Sequence, residues 1–115
     1  MDTQFISELA ARVPYGIVCE MGPKNGNKIV EKLDWGGLDQ LVRGNWEIKP
    51  YLFPFSSMTE EQTEELIKLI NTGQNYNNEF MRSLCRIEFY HKKHFDYNDR
   101  IARGLAIDAT EKNIY

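Results

Sequence analysis

Residues 46–70, WEIKPYLFPFSSMTEEQTEELIKLI, join a sheet-forming part of the chain to a helical part. The first half of this stretch is rich in the aromatic and β-branched residues that favour strands. Pro50 and Pro54 predict an edge strand or a bulge, because proline donates no hydrogen bond to a ladder. Thr59 and Gln62 have the spacing of a capping box, which predicts that a helix begins there.

The helix that follows Thr59 is the most strongly marked element of the chain. Thr63, Leu66, Ile67 and Ile70 recur at helical spacing and predict a buried stripe. Gly73 predicts the C-terminal end of this helix, because glycine adopts the left-handed conformation that often follows a last turn. Residues 74–78 are predicted to form a polar connector.

The sequence before residue 46 indicates one helix and a hairpin. Asp2 or Thr3 can cap a first helix, which Pro14 ends because proline disfavours the α conformation of the residue before it. Alternating apolar residues then predict a hairpin over residues 15–35. Asn25-Gly26 supplies the positive φ angles that tight hairpin turns require.

The C-terminal part is predicted to be helical. A third helix is expected over residues 79–95, and a short last helix, capped by Asp96 and closed by Gly104, over residues 97–103. A helical projection of the third helix places the following apolar residues on one arc: Phe80, Met81, Leu84, Cys85, Ile87 and Phe95. Leu105-Ala106-Ile107 is expected to pack back on the core.

Together these elements predict a single α+β domain over residues 1–115. Its core would be a three-stranded, mostly antiparallel sheet from residues 15–53. The N-terminal helix and two or three C-terminal helices would cover this sheet. Residues 36–45 fit either one helical turn or a short strand, and the sequence does not decide between them.

Composition excludes several classes of protein. The 14 basic and 17 acidic residues give a net charge of −3, so no overall basic field attracts nucleic acid. No apolar run is long enough to span a membrane, and the acidic N-terminus does not have the form of a signal peptide. Cys19 and Cys85 are expected to be unpaired thiols of a cytoplasmic protein.

Three segments resemble a known group of sequences: LAARVPYGI (residues 9–17), KPYLFPFSSMTEE (49–61) and HFDYNDRIARGLAID (94–108). They are similar, in the same order, to small uncharacterised proteins encoded by Bacteroidetes bacteria and their phages or prophages. Phe53 and Phe55 stand where that group usually has arginine and leucine, which weakens any argument for anion binding there. The resemblance implies an origin in a phage or mobile element and no particular chemistry.

One constellation has the residue types of a metal site. Glu88, His91, His94 and Asp96 follow one another at the end of the third helix, and such oxygen and nitrogen donors bind zinc or non-haem iron. A small metal-dependent hydrolase is therefore one hypothesis. Alternatively, Glu88 pairs with Lys92 along the helix and the histidines are structural. No catalytic constellation is complete, so no cofactor is predicted.

A second hypothesis is nucleic-acid binding. Arg82, Arg86 and Lys93 share one side of the third helix, with Arg100 close behind, and such a row can neutralise phosphates. A solvated basic face that balances the acidic second helix is the alternative explanation.

The leading hypothesis is a non-enzymatic accessory protein that binds another protein or itself. Exposed aromatic side chains often mark protein interfaces. Those expected in the sheet and at its exit are Tyr15, Trp46, Tyr51, Phe53 and Phe55, with the binding surface around residues 51–55. The alternative is that these side chains form the core between the sheet and the helices.

Overall fold

The computed structural model describes residues 2–74 and 79–115, and the side chains of residues 72–74 are not described. The helices are α1 (Thr3–Arg12), α2 (Trp35–Val42), α3 (Glu60–Gln74) and α4 (Glu79–Lys93). The strands are β1 (Val18–Pro23), β2 (Ile29–Lys32), β3 (Trp46–Leu52) and β4 (Ile107–Asp108). Short 3-10 turns lie at Val13–Tyr15 and Phe55–Ser57. The predicted connector at residues 74–78 lies outside the described residues, apart from the backbone of Gln74 in α3.

The fold is α+β, as predicted, but the sheet has four strands in the order β2-β1-β3-β4. The prediction of three strands is wrong, because β4 adds to β3 in a parallel direction and makes the sheet mixed. A strand of two residues has no measurable period, so the sequence pattern could not reveal it. The segment before β4 does pack back on the core, where Ala106 is buried.

The two predicted strands of the hairpin pair as antiparallel neighbours, from Val18↔Lys32 to Met21↔Ile29. A turn forms within residues 23–27 as predicted, but the predicted positive φ angles are wrong, since neither Asn25 nor Gly26 is among the described residues with positive φ. Gly26 N instead donates to Pro23 O at 3.1 Å, and the Lys28 ammonium donates to carbonyls of the turn. The loop between β1 and β2 is longer than a two-residue hairpin turn, and the Lys28 ammonium binds its carbonyl groups. Such a loop does not require residues in the left-handed conformation.

The undecided segment is helical and forms α2. The side chain of Asp34 accepts a hydrogen bond from Gly37 N at 2.7 Å and caps the first turn. Gly37 is buried, and a Cβ atom at this position would lie 3.2 Å from Leu33 and 3.4 Å from Met21. Glycine at position 37 therefore lets α2 approach the sheet closely.

β3 lies inside the sheet, but its first part has a single strand neighbour. β4 pairs only with Tyr51 and Leu52, so in the described chain the Trp46–Pro50 part of β3 has a strand partner only in β1. The edge position predicted for Pro50 is therefore confirmed for this part of the strand and not for β3 as a whole.

The capping box of α3 is confirmed. Gln62 N donates to Thr59 Oγ1 at 3.1 Å, and Thr59 N donates to Gln62 Oε1 at 2.9 Å. The helix continues through Gly73, so the predicted end is wrong by about one residue, as is common at helix ends.

The buried stripe predicted for α3 is not buried. Thr63 and Ile67 are exposed, while Leu66 and Ile70 are half-buried. The reason is that α3 packs mainly against α4 and not against the sheet. The molecule is correspondingly elongated, with extents of 49 × 29 × 22 Å.

The last predicted helix, over residues 97–103, is absent and the segment forms turns. Asp96 accepts hydrogen bonds from the backbone N–H groups of Asn98, Arg100 and Ile101 at 2.9–3.3 Å. These local bonds give the backbone an alternative to a helix.

The main core lies between the sheet and the pair α1 and α2. It contains Phe5, Leu9, Ile17, Cys19, Met21, Leu33, Leu38, Ile48, Leu52 and Ala106. On the opposite face of the sheet, Val18 and Tyr51 pack against Ala109 and half-buried Ile114 of the C-terminal segment. None of the described helices is long and apolar enough to cross a membrane.

Candidate interaction surface and buried polar cluster

The four residues predicted as metal ligands each have another contact. Glu88 is exposed and accepts a hydrogen bond from Tyr15 Oη at 3.4 Å. His91 Nε2 lies 2.8 Å from Tyr97 Oη, and His94 is stacked on a tyrosine ring. Both carboxylate oxygens of Asp96 accept backbone hydrogen bonds.

These four side chains do not form a ligand set. Within the described residues, no group of three or more histidine, cysteine, aspartate or glutamate side chains is placed to hold a metal ion. The proximity of the four residues in sequence is therefore not matched by convergence in space.

A buried arginine lies at the centre of this region. Arg12 is 3% exposed, Arg12 Nη2 donates to Phe95 O at 2.7 Å, and the guanidinium lies 5.2 Å from the ring centroid of Tyr97. Burial lowers the pKa of Arg12 from its ordinary value. Among the described residues, Arg12 Nη1 and His94 Nδ1 are buried without a hydrogen-bond partner.

This environment keeps both histidines neutral. Burial, and then the positive charge of Arg12, lowers the pKa of His91 and of His94 to about 4. The cluster is thus a buried junction between α1, the end of α4 and the C-terminal segment, in which both imidazoles are neutral and Arg12 carries the positive charge. Sequence reasoning missed Arg12, although Phe5, Leu9 and Arg12 have the spacing of one helix face.

The thiol of Cys19 gives no sign of nucleophilic chemistry. Both cysteines are free, with Cys19 fully buried and Cys85 partly buried. Burial raises the pKa of Cys19 to about 12, so this sulfur is a protonated thiol at neutral pH.

The predicted basic face is interrupted. Arg100 is 3% exposed and forms ion pairs with Glu8 at 2.8 Å and Asp2 at 3.2 Å. Lys93 pairs with Glu65 at 3.4 Å. Of the four predicted cations, Arg86 is exposed and Arg82 is half-buried.

The predicted aromatic residues do not share one surface. Tyr51 is buried, and Tyr15, Trp46 and Phe53 are half-buried. Trp46 begins β3, whereas Phe53 follows its last residue, so the two lie at opposite ends of the strand. Of the five aromatic residues, Phe55 is the most exposed, at 45%.

A larger apolar surface lies on α4. Phe80, Leu84 and Ile87 are exposed by 67%, 43% and 37%, and their spacing places them along one side of the helix. Tyr90, one turn beyond Ile87, contacts Phe55 with ring centroids 5.1 Å apart. We call the four exposed residues Phe55, Phe80, Leu84 and Ile87 the α4 apolar surface.

The same side of α4 is covered at the end of the helix. His91 continues the same side of the helix, and there Tyr15 and Tyr97 cover it at ring distances of 6.4 and 5.5 Å. Among the described residues, these two rings cover the row at this end, and Phe80, Leu84 and Ile87 remain exposed.

Comparison with known proteins does not assign this fold. No family model, no curated protein and no solved structure matches the chain.

Proposed function

We propose that this chain is a non-enzymatic protein-interaction protein that acts through the α4 apolar surface. The observation that carries the proposal is the row of Phe80, Leu84 and Ile87 on a helix that projects from the sheet. Soluble proteins rarely leave contiguous large apolar side chains in water unless a partner covers them. The leading sequence hypothesis thus keeps its function and moves from the sheet exit to α4, with Phe55 common to both.

The occupant that we propose for this surface is a second copy of the chain. Leu84 lies near the middle of the row, with Phe80 one turn before it and Ile87 one turn after it. A two-fold axis at Leu84 would place α4 antiparallel to itself, with Phe80 of each copy against Ile87 of the other. Such a self-complementary patch is what an isologous dimer requires.

An origin in a phage or mobile element and a cytoplasmic location belong to the same proposal. The origin is supported by the three sequence segments described above. The location is supported by the two unpaired thiols, which are typical of reducing compartments.

Sedimentation velocity of the full chain over concentrations from about 10 μM to about 1 mM tests the pairing, because this range covers weak dimers. We expect the apparent mass to rise above the 13.5 kDa of one copy as concentration increases. Leu84→Glu should abolish the rise, since it places a charge at the centre of the row.

Val42→Glu is the matched control. Val42 lies on α2 and is 44% exposed, against 43% for Leu84, so both variants add one charge to a helix at equal exposure. The control should associate as the unmodified protein does. A constant mass of one copy over the whole range, or equal association of the two variants, would refute pairing through α4.

A further inference from the structure

In the described chain, the first part of β3 has backbone groups at the edge of the sheet that pair with no strand. Lys24 N donates to Asn45 O at 3.2 Å, and the register continues through Gly22↔Glu47 and Glu20↔Lys49. Because bonding direction alternates along an antiparallel strand, Trp46 and Ile48 direct their N–H and C=O groups to the other side.

At the C-terminal end of β3, β4 lies on the side to which the even-numbered residues direct their backbone groups. Ala109 N donates to Leu52 O at 2.8 Å, so even-numbered residues of β3 face β4. β4 pairs with β3 only at Tyr51 and Leu52. Beside Trp46 and Ile48 the position that would continue β4 holds no strand of the described chain.

A groove lies along this open edge. Two adjoining cavities of about 350 and 400 Å³ share Phe5, Lys24, Leu41 and Trp46 as lining residues. The second is also lined by Leu105 and by the consecutive β3 residues 46–49. Successive residues of a strand point to opposite faces, so a cavity lined by all four runs along the edge.

The chemistry of the groove specifies its occupant. Open N–H and C=O groups spaced along a strand bind the main chain of another extended segment. Phe5 and Leu41 offer apolar contacts to its side chains. Lys24 and Lys49 are exposed and form no ion pair with a described residue, whereas Glu47 pairs with Lys28 at 3.9 Å.

We propose that an extended peptide segment with alternating apolar and acidic residues adds to β3 at Trp46 and Ile48, in the position that continues β4. The apolar side chains enter the groove, and the acidic ones pair with Lys24 and Lys49. This surface is separate from the α4 apolar surface and does not depend on self-association.

Amide NMR titration of the full chain tests the proposal. The probes are three capped seven-residue peptides in which glutamate alternates with valine, leucine or phenylalanine, added up to about 2 mM, which reaches the weak end of binding affinities. We expect shifts of the Trp46 and Ile48 amide resonances with at least one peptide. No shift of these amides with any of the three would overturn the proposal.

Two controls separate main-chain pairing from other binding. The first control compares two N-methylated forms of the peptide, one methylated at the odd-numbered amide nitrogens and one at the even-numbered nitrogens. One form should lose binding and the other should keep it, because only one set of N–H groups faces β3. Equal binding of both methylated peptides would overturn strand addition.

Charge reversal provides the second control. Lys24→Glu with Lys49→Glu should weaken binding about tenfold at low salt, because the groove then repels the acidic residues. The matched control is the double variant Lys32→Glu with Lys112→Glu, which changes the net charge equally at exposed sites that do not line the groove. This variant should bind the peptide as the unmodified protein does. Equal weakening by the two double variants would contradict the assigned contacts.

Discussion

The imidazole ring of His94 lies against the phenol ring of Tyr115, with ring centroids 3.7 Å apart and planes within 10° of parallel. Tyr115 Oη also donates to Tyr51 O at 2.7 Å and accepts from Val18 N at 3.0 Å. The C-terminal segment thus joins the end of α4 to β1 and β3. Sequence spacing suggested a metal for His94, whereas its observed contact is with an aromatic ring.

The two buried histidines predict a loss of stability in mild acid. The pKa of each is about 4 in the folded chain and about 6.5 in an unfolded one. The unfolded chain therefore binds more protons between these values, so stability is complete above about pH 6.5 and decreases as the pH falls to about 4. Each histidine contributes a slope of about 1.4 kcal/mol per pH unit within that window.

Urea unfolding at pH 7, 6 and 5 measures this slope. His94→Asn is a suitable control, because His94 has φ +63° and asparagine tolerates that conformation without titrating. The variant should show about half the slope of the unmodified protein. Equal stability at pH 7 and pH 5 would contradict the neutral, buried state of the histidines.

Removing the Tyr115 hydroxyl should destabilise the fold. Tyr115→Phe leaves Val18 N and Tyr51 O without this partner at buried positions, which costs about 1–3 kcal/mol. Tyr15→Phe removes an exposed hydroxyl that bonds Glu88 at 3.4 Å, and its effect should stay within about 0.5 kcal/mol. Urea unfolding at pH 7 compares the two, and similar losses would argue against the bridging role of Tyr115.

The ion pair of Arg100 should contribute far more than a surface pair. Arg100→Met leaves the largely buried Glu8 carboxylate without its cation, and breaking such a pair costs about 3–5 kcal/mol. Arg43→Met breaks an exposed pair with Asp39, and its cost should not exceed about 0.5 kcal/mol. Equal free energies of unfolding for the two variants would refute the structural role of Arg100.

The sequence predicted those elements that carry local signals. The capping box of Thr59 and Gln62 located α3, Asp2 located α1, and alternating residues located β1 and β2. α2 was undecided, because Gly36-Gly37 weakens a helical pattern until close packing against the sheet is known.

The functional surfaces were harder to predict, because periodicity shows which residues share a helix face but not what covers that face. Leu84 and Ile87 fit a buried arc, and only the projection of α3 and α4 from the sheet leaves them exposed. Arg100 seemed part of a basic face, but its role depends on Glu8, which is distant in sequence. The open edge of β3 depends on where β4 stops, and that strand is too short for a pattern to reveal.

Site-specific photocrosslinking tests the central claim, pairing of two copies through α4, most directly. The photoreactive amino acid p-benzoylphenylalanine replaces Leu84 in one sample and Val42 in the other, and the apolar probe preserves the character of the row. We predict that the probe at position 84 gives a covalent dimer, with the crosslink mapping to residues 80–87 of the second copy. The probe at position 42 should give none. Absence of a dimer at position 84, or a crosslink that maps outside α4, would contradict the account.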